Sequence, residues 1–90
     1  MGVPEVVIYL TEWCPYCARA RGLLEKRGIP MREIDIGAVE GARAEMLAKS
    51  GGRTSVPQIF IGPTHVGGCD ELFALDAAGR LDTLLKPTGA

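Results

Sequence analysis

The sequence predicts one α/β domain, with a mixed four-stranded sheet flanked by helices in the order βαβαββα. Three observations support this prediction: apolar runs rich in β-branched residues, segments of helical spacing between them, and glycine or proline at the junctions. Ninety residues suit one domain, and a hydrophobic content of 47% can supply a core of that size. We therefore expect residues 1–90 to form a single domain.

The first half of the chain predicts a strand, a helix, a second strand and a second helix. Residues 5–10 are a nearly continuous apolar run, typical of a strand covered on both faces, and we expect this strand to be central. Proline at the start and glycine after the end predict a helix over residues 15–27. Apolar and polar residues alternate over residues 31–36, as in a strand. Apolar residues recur at helical spacing over residues 39–49. The first two strands should be parallel, joined by a right-handed crossover.

The second half predicts a hairpin followed by helices. Residues 56–61 read as a third strand, and residues 64–66 return beside it as a short fourth strand. Asp70 is expected to cap a helix that ends at residue 78. Leucines within residues 81–85 indicate a further helical turn. The helices should therefore cover both faces of the sheet.

Charge and hydropathy exclude several classes of function. The 10 Lys and Arg residues balance 11 Asp and Glu residues, so no basic stripe indicates nucleic-acid binding. No apolar run approaches the ~20 residues that a membrane span needs. The N-terminus has no positive region ahead of a long apolar segment, so no signal peptide is expected. Three cysteines without an export signal then predict a cytoplasmic protein.

A cysteine pair with two intervening residues lies between the first strand and the first helix, in the motif Cys14-Pro15-Tyr16-Cys17. This spacing at a strand-to-helix junction predicts a dithiol redox site. With Cys14 at the helix cap, the unpaired N–H groups of the first turn favour its thiolate, the nucleophile of disulfide exchange. Cys17 lies one turn further along, on the face that should be buried. We therefore predict that Cys14 attacks and Cys17 resolves.

A zinc site is the alternative interpretation of the cysteine pair. Structural zinc needs four ligands, commonly two such pairs, and the remaining candidates Cys69 and His65 lack paired spacing. The ligand count therefore favours redox chemistry, and no metal is expected. Cys69 is interpreted as a small buried apolar residue, with regulatory oxidation as the alternative. His65 is interpreted as structural.

Three motifs, in order, resemble those of the glutaredoxin family, which has the thioredoxin fold. They are Cys14-Pro15-Tyr16-Cys17, Ser55-Val56-Pro57 and Gly67-Gly68-Cys69-Asp70, and the resemblance runs from residue 6 to about residue 85. The chain looks most like the small bacterial dithiol glutaredoxins. The resemblance implies a glutathione-dependent thiol–disulfide oxidoreductase that reduces glutathione mixed disulfides and protein disulfides. Glutathione would be the co-substrate, with no bound cofactor and a monomeric protein.

The resemblance also implies where glutathione would bind. Pro57 should be cis, and the backbone of Val56 should pair with the cysteinyl part of the ligand. Gly68 would let the ligand approach closely. The backbone N–H groups of Cys69 and Asp70 would hold the γ-glutamyl carboxylate, and the Asp70 carboxylate would pair with the ligand's amino group.

One position departs from the family pattern. Thr11 stands where many glutaredoxins carry a lysine that meets the glycine carboxylate of glutathione. Arg53 is then the best remaining partner for that carboxylate, and Tyr16 should flank the ligand. The expected glutathione-binding residues are Thr11, Tyr16, Arg53, Ser55, Val56, Pro57, Gly68, Cys69 and Asp70.

Two other functions share this general pattern. One is a redoxin reduced by a thioredoxin reductase, and the Pro-Tyr pair between the cysteines argues for glutathione instead. The other is an iron–sulfur cluster carrier that bridges two subunits through Cys14 and glutathione. Pro15 and Cys17 argue against the cluster, because that role is usual for relatives that lack them.

Overall fold

The computed structural model of the chain describes residues 4–85. Its elements follow the predicted order, and the short final helix also forms as expected. They are β1 (Val6–Leu10), α1 (Pro15–Lys26), β2 (Arg32–Asp35), α2 (Ala42–Lys49), β3 (Gln58–Ile61), β4 (Thr64–Gly67), α3 (Cys69–Ala77) and α4 (Leu81–Leu84). Within residues 4–85, no helix is both long enough and apolar enough to cross a membrane.

The four strands form one mixed sheet in the order β2-β1-β3-β4. β1 pairs parallel with β2 and antiparallel with β3, and β3 pairs antiparallel with β4 in a hairpin. The predicted parallel pair, the hairpin and the inner position of β1 are all confirmed. The thioredoxin-like α/β fold is confirmed as well.

The core lies on both faces of the sheet, because successive side chains of β1 point in opposite directions. On one face Ile8 packs in a cluster with Leu24 of α1 and Leu72 of α3. On the other face Tyr9 packs with Met46 of α2. All five side chains are fully buried, and burying a side chain such as leucine contributes about 1.5–3 kcal/mol. Helices therefore cover both faces, as predicted.

Two helices begin at residues other than those predicted. α2 starts at Ala42 rather than at residue 39, because Gly41 adopts a left-handed φ of 81° and ends a turn there. α3 starts at Cys69 with Gly68 as its N-cap, so Asp70 lies in the first turn and the prediction that it caps the helix was wrong. Glu71 accepts the backbone N–H of Gly68 and so supplies the hydrogen bond at this helix end.

The third strand also starts later than predicted, at Gln58 rather than residue 56. Pro57 lacks a backbone N–H and cannot donate to the sheet at this point. A side-chain hydrogen bond stabilises the segment before β3 instead of a backbone hydrogen bond from Pro57. The Gln58 side-chain amide donates to the Ser55 carbonyl at 2.9 Å.

Candidate active site

Cys14 caps the N-terminus of α1, as the sequence predicts. Its backbone is extended, with φ −96° and ψ 113°, and Pro15 follows at the start of the helix. The backbone N–H of Cys17 donates to Cys14 Sγ over 3.2 Å. The sulfur therefore receives one of the unpaired N–H groups of the first turn, a position that favours negative charge.

The second motif contacts Cys14 where β1 ends and β3 begins, at one end of the sheet. Cys14 Sγ donates to the carbonyl oxygen of Val56 at 3.7 Å. The Val56–Pro57 peptide bond is cis, as the family resemblance implies. A partly buried thiol and a bent stretch of backbone thus lie side by side.

Cys17 is buried, as its place on the inner face of α1 predicts. Burial, and next the neighbouring Cys14 thiol, raise the pKa of Cys17 to about 12, while a backbone hydrogen bond from Thr11 and the charge of Arg21 act in the opposite direction. Cys17 is therefore a neutral thiol near pH 7. Cys14, Cys17 and Cys69 are all free thiols, so the described form is the reduced one.

A cavity of about 170 Å³ opens beside the second and third motifs. It contains eight of the nine residues expected to bind glutathione, together with one residue that was not expected, Glu71. Its lining consists of Tyr16, Arg53, Ser55, Val56, Pro57, Gly68, Cys69, Asp70 and Glu71. We call it the cis-proline cavity.

Thr11 is the expected binding residue that lies elsewhere. It lines a second cavity of about 370 Å³, which also contains Cys14, Cys17 and Arg21. We call this the Arg21 cavity. Thr11 thus adjoins the dithiol but is not grouped with the eight residues of the cis-proline cavity.

Glu71 also lines the site, although the sequence motifs do not predict it there. Its carboxylate accepts the Gly68 N–H and lies 3.6 Å from Arg53 Nη2. The Gly68 hydrogen bond, and then the charge of Arg53, hold the pKa of Glu71 below its usual value. Its position three residues after the cap glycine is a detectable signal, since glutamate favours that place in a capping box. Arg53 therefore already has an anionic neighbour in the cavity.

The paired glycines of the third motif allow close packing at this end of α3. Gly67 has a φ of 113°, and a Cβ atom there would lie 2.8 Å from Glu71 Oε1. At Gly68 a Cβ atom would lie 3.3 Å from the carbonyl oxygen of Pro57. Glycine at both positions lets the start of α3 contact the cis-proline segment.

His65 contacts Gln58, the residue that follows Pro57. His65 Nε2 lies 2.7 Å from Gln58 Oε1, and its ring stacks on Phe60 with 4.8 Å between centroids. The pKa of His65 is lowered, first by burial and then by the charge of Arg53. These contacts agree with the structural interpretation of His65. Among residues 4–85, no three His, Cys, Asp or Glu side chains cluster in a way that could hold a metal.

Cys69 lies at the first position of α3 and lines the cis-proline cavity. It is 6% exposed, in agreement with its interpretation as a buried residue. Burial is the main cause of its raised pKa, and the nearby charge of Arg19 opposes that effect. A raised pKa keeps this thiol protonated and so limits its reactivity.

Comparison with known proteins places these features in a family. Residues 6–66 match the model of the glutaredoxin family. A glutaredoxin from Pseudomonas aeruginosa is 57% identical over 84 residues, which is 93% of this chain and 99% of that protein. Glutaredoxin 3 of Escherichia coli K12 is 54% identical over 82 residues, which is 91% of this chain and 98% of that protein.

A solved structure gives the same result. The solution structure of a glutaredoxin from Brucella melitensis matches with a TM-score of 0.81 at 52% identity, and the match covers 96% of this chain and 92% of that one. Sequence, fold and the cysteine pair at the cap of α1 therefore agree. The chain belongs to the glutaredoxin family and is a thiol–disulfide oxidoreductase.

Proposed function

We propose that the protein reduces glutathione mixed disulfides and protein disulfides, with glutathione as its reductant and Cys14 and Cys17 as its redox pair. One observation carries this proposal. The cis-proline cavity joins a bent backbone segment, a helix N-terminus and a cationic side chain beside the cap of α1. This set of groups matches a small peptide that carries two carboxylates, one ammonium group and a thiol.

Each group of glutathione has a suitable partner in the cavity. The N–H groups at the start of α3 suit the γ-glutamyl carboxylate, because a helix N-terminus attracts anions. The Asp70 carboxylate suits the adjacent ammonium group. The backbone of Val56 can pair with the extended cysteinyl part, and Arg53 can meet the glycine carboxylate. Tyr16, which is 56% exposed, would flank the ligand.

Reduction of a glutathionylated protein needs only Cys14. Its thiolate attacks the glutathione sulfur, the disulfide breaks, and the target thiolate leaves with the electron pair and takes up a proton. Cys14 then carries glutathione in a mixed disulfide. A second glutathione thiolate attacks the glutathione sulfur of that bond. The products are oxidised glutathione and free Cys14.

Reduction of a protein disulfide uses both cysteines. Cys14 attacks the target disulfide, and Cys17 then attacks Cys14 Sγ and releases the reduced target. Two glutathione molecules reduce the resulting Cys14–Cys17 disulfide. Glutaredoxins have potentials of about −200 to −230 mV, and we propose that this protein lies in that range as a monomer in the cytoplasm, where glutathione maintains reducing conditions.

The test is turnover of a glutathionylated small-molecule disulfide, with oxidised glutathione detected through glutathione reductase. Wild type and Cys17→Ser should turn over, and Cys14→Ser should lose essentially all activity. Cys69→Ser is the matched control, because it removes a buried thiol from the same cavity, and it should remain active. Wild-type protein that is inactive with glutathione but active with a thioredoxin reductase would contradict the proposal.

A further inference from the structure

The Arg21 cavity lies beside the dithiol but is distinct from the cavity proposed to bind glutathione. It extends from the loop after β1 to the edge strand β2, and Cys17 is part of its wall. Its charged residues are Glu12 from the loop, Arg21 from α1, and Glu33 and Asp35 from β2. The buried thiol therefore faces a charged space.

Arg21 follows Cys17 by four residues on α1, so the two side chains share one face of the helix. Its Nη1 donates to Glu33 Oε1 at 3.1 Å, which ties the guanidinium to β2. Its Nε atom is buried and, among the residues that the structure describes, has no hydrogen-bond partner. The side chains of Arg21 and Glu33 are each 42% exposed, so this ion pair contributes at most about 1 kcal/mol and serves mainly to place the guanidinium.

Neither Asp35 nor Glu12 accepts a hydrogen bond from Arg21 Nε. Asp35 Oδ1 accepts the backbone N–H of Gly37 at 2.8 Å, and Glu12 is exposed at the surface. The Nε donor of Arg21 is therefore not used by a carboxylate of the cavity, and its guanidinium lies in the space that Cys17 also lines. A guanidinium carries a positive charge throughout the working pH range.

The proposed function requires Cys17 to lose its proton before it can resolve a mixed disulfide. Burial opposes that loss, whereas the charge of Arg21 lowers the pKa of Cys17. A positive charge near the forming thiolate favours its ionised form. The carboxylates Glu12, Glu33 and Asp35 line the same cavity and act in the opposite sense, and the ion pair between Arg21 and Glu33 offsets part of both charges.

We propose that Arg21 is a positioning residue for the resolving step, held by Glu33 so that it stabilises the Cys17 thiolate as that thiolate attacks Cys14. This inference rests on the proposed role of Cys17. In the step, the Cys17–Cys14 bond forms and the Cys14–target bond breaks. The electron pair leaves on the target sulfur, which takes up a proton, and the Cys17 proton passes to solvent that reaches the cavity. The dithiol loses two electrons and the target disulfide gains them.

The size of the effect follows from thiol reactivity. When the pKa of Cys17 rises by one unit, its thiolate fraction falls about tenfold while the thiolate's nucleophilicity increases about threefold. The resolving rate should therefore fall about threefold per unit. Neither the attack by Cys14 nor the glutathione mixed-disulfide activity uses Cys17, so the first thiol release is the reference against which resolution is measured.

The test compares Arg21→Gln, Arg21→Lys and Arg27→Gln in a single turnover with a peptide disulfide. Arg27 is the matched control, since it lies on the same helix and pairs with Asp76 at 2.8 Å, away from the thiols. The first thiol release reports attack by Cys14, and the second reports resolution. Arg21→Gln should slow the second release relative to the first, by about threefold for each unit by which the pKa of Cys17 rises, and Arg21→Lys should retain most of the rate. Equal second rates for Arg21→Gln and Arg27→Gln would overturn the proposal.

A pH profile separates an electrostatic role from a purely structural one. In a Cys14→Ser, Cys69→Ser background, the alkylation rate of Cys17 should shift to higher pH with Arg21→Gln and stay in place with Arg27→Gln. An unshifted profile would contradict the inference. Cys17→Ser tests the role of Cys17 separately from that of Arg21. A second thiol release that persists in this variant would refute the resolving role of Cys17, and with it the proposal for Arg21.

Discussion

The thiol of Cys14 lies 3.7 Å from the carbonyl oxygen of Val56, 42 residues further along the chain. The antiparallel pairing of β1 with β3 explains this contact, because the end of β1 and the start of β3 lie at the same end of the sheet. β4 runs antiparallel to β3 and also finishes at that end of the sheet, where α3 begins. The topology thus brings three separate motifs to one place.

Asp70→Asn should weaken the use of glutathione. The neutral amide loses the proposed ion pair with the ligand's ammonium group, and a hydrogen bond to a charged group contributes about 1.5–3 kcal/mol. We expect the KM for glutathione to rise about tenfold, with a smaller change in kcat. Asp82→Asn on α4 is the control. Steady-state kinetics that show the same KM for both variants would remove Asp70 from the binding site.

Glu71→Gln should destabilise the protein in a pH-dependent way. The folded-state pKa of Glu71 lies below its usual value of 4.5, so its ionised form stabilises the fold above pH 4.5. That contribution, about 0.3–1 kcal/mol for a carboxylate at a helix N-terminus, is lost as the pH falls through the folded-state pKa. Urea unfolding should show wild type more stable at neutral pH and the two proteins equal in acid.

The matched control for this substitution is Glu40→Gln, in the exposed turn before α2. It should change stability little at any pH. A stability difference for Glu71→Gln that persists once the carboxyl is protonated would show that packing, and not charge, explains its effect.

Gly67→Ala should be strongly destabilising. Its φ of 113° is unfavourable for alanine, and the new Cβ would lie 2.8 Å from Glu71 Oε1. We expect a loss of about 2 kcal/mol or more. Gly22→Ala, in the exposed part of α1 with no atom within 4 Å of the new Cβ, should instead stabilise by about 0.5–1 kcal/mol. Thermal unfolding should thus move in opposite directions, and a tolerated Gly67→Ala would contradict this account.

Resolution by Cys17 should depend steeply on pH. Burial is the main reason that the pKa of Cys17 reaches about 12, and burial persists after Cys14 has formed a mixed disulfide. Between about pH 6 and pH 9 the second thiol release should rise about tenfold per pH unit, since the thiolate fraction does so. Stopped-flow measurements can follow it. A rate that levels off near neutral pH would mean that the Cys17 pKa is much lower.

Local patterns were sufficient to predict most of the fold. The apolar run of β1 and the proline and glycine that bound α1 correctly predict the strand, the helix and the cap at Cys14. The start of α2 was missed because the left-handed turn at Gly41 competes with helical spacing. The cap of α3 was misassigned because Asp70 is a good capping residue by type, whereas Glu71 already serves the backbone at Gly68.

Contacts across the sheet were not predictable in the same way. The pairing of Arg21 with Glu33 depends on how α1 packs beside β2, and neither residue type indicates it. The separation of Thr11 from the cis-proline cavity depends on the path of the loop after β1. Such placements follow from tertiary geometry, so a motif can identify the reacting cysteines before it identifies their neighbours.

The most direct test of the central claim is to identify the cysteine that carries glutathione. Cys17→Ser is incubated with oxidised glutathione, digested without reductant, and mapped by peptide mass spectrometry. We expect a glutathione adduct on Cys14 and none on Cys69, and no adduct on the Cys14→Ser, Cys17→Ser double variant. An adduct on Cys69, or none on Cys14, would contradict the assignment of Cys14 as the attacking thiol.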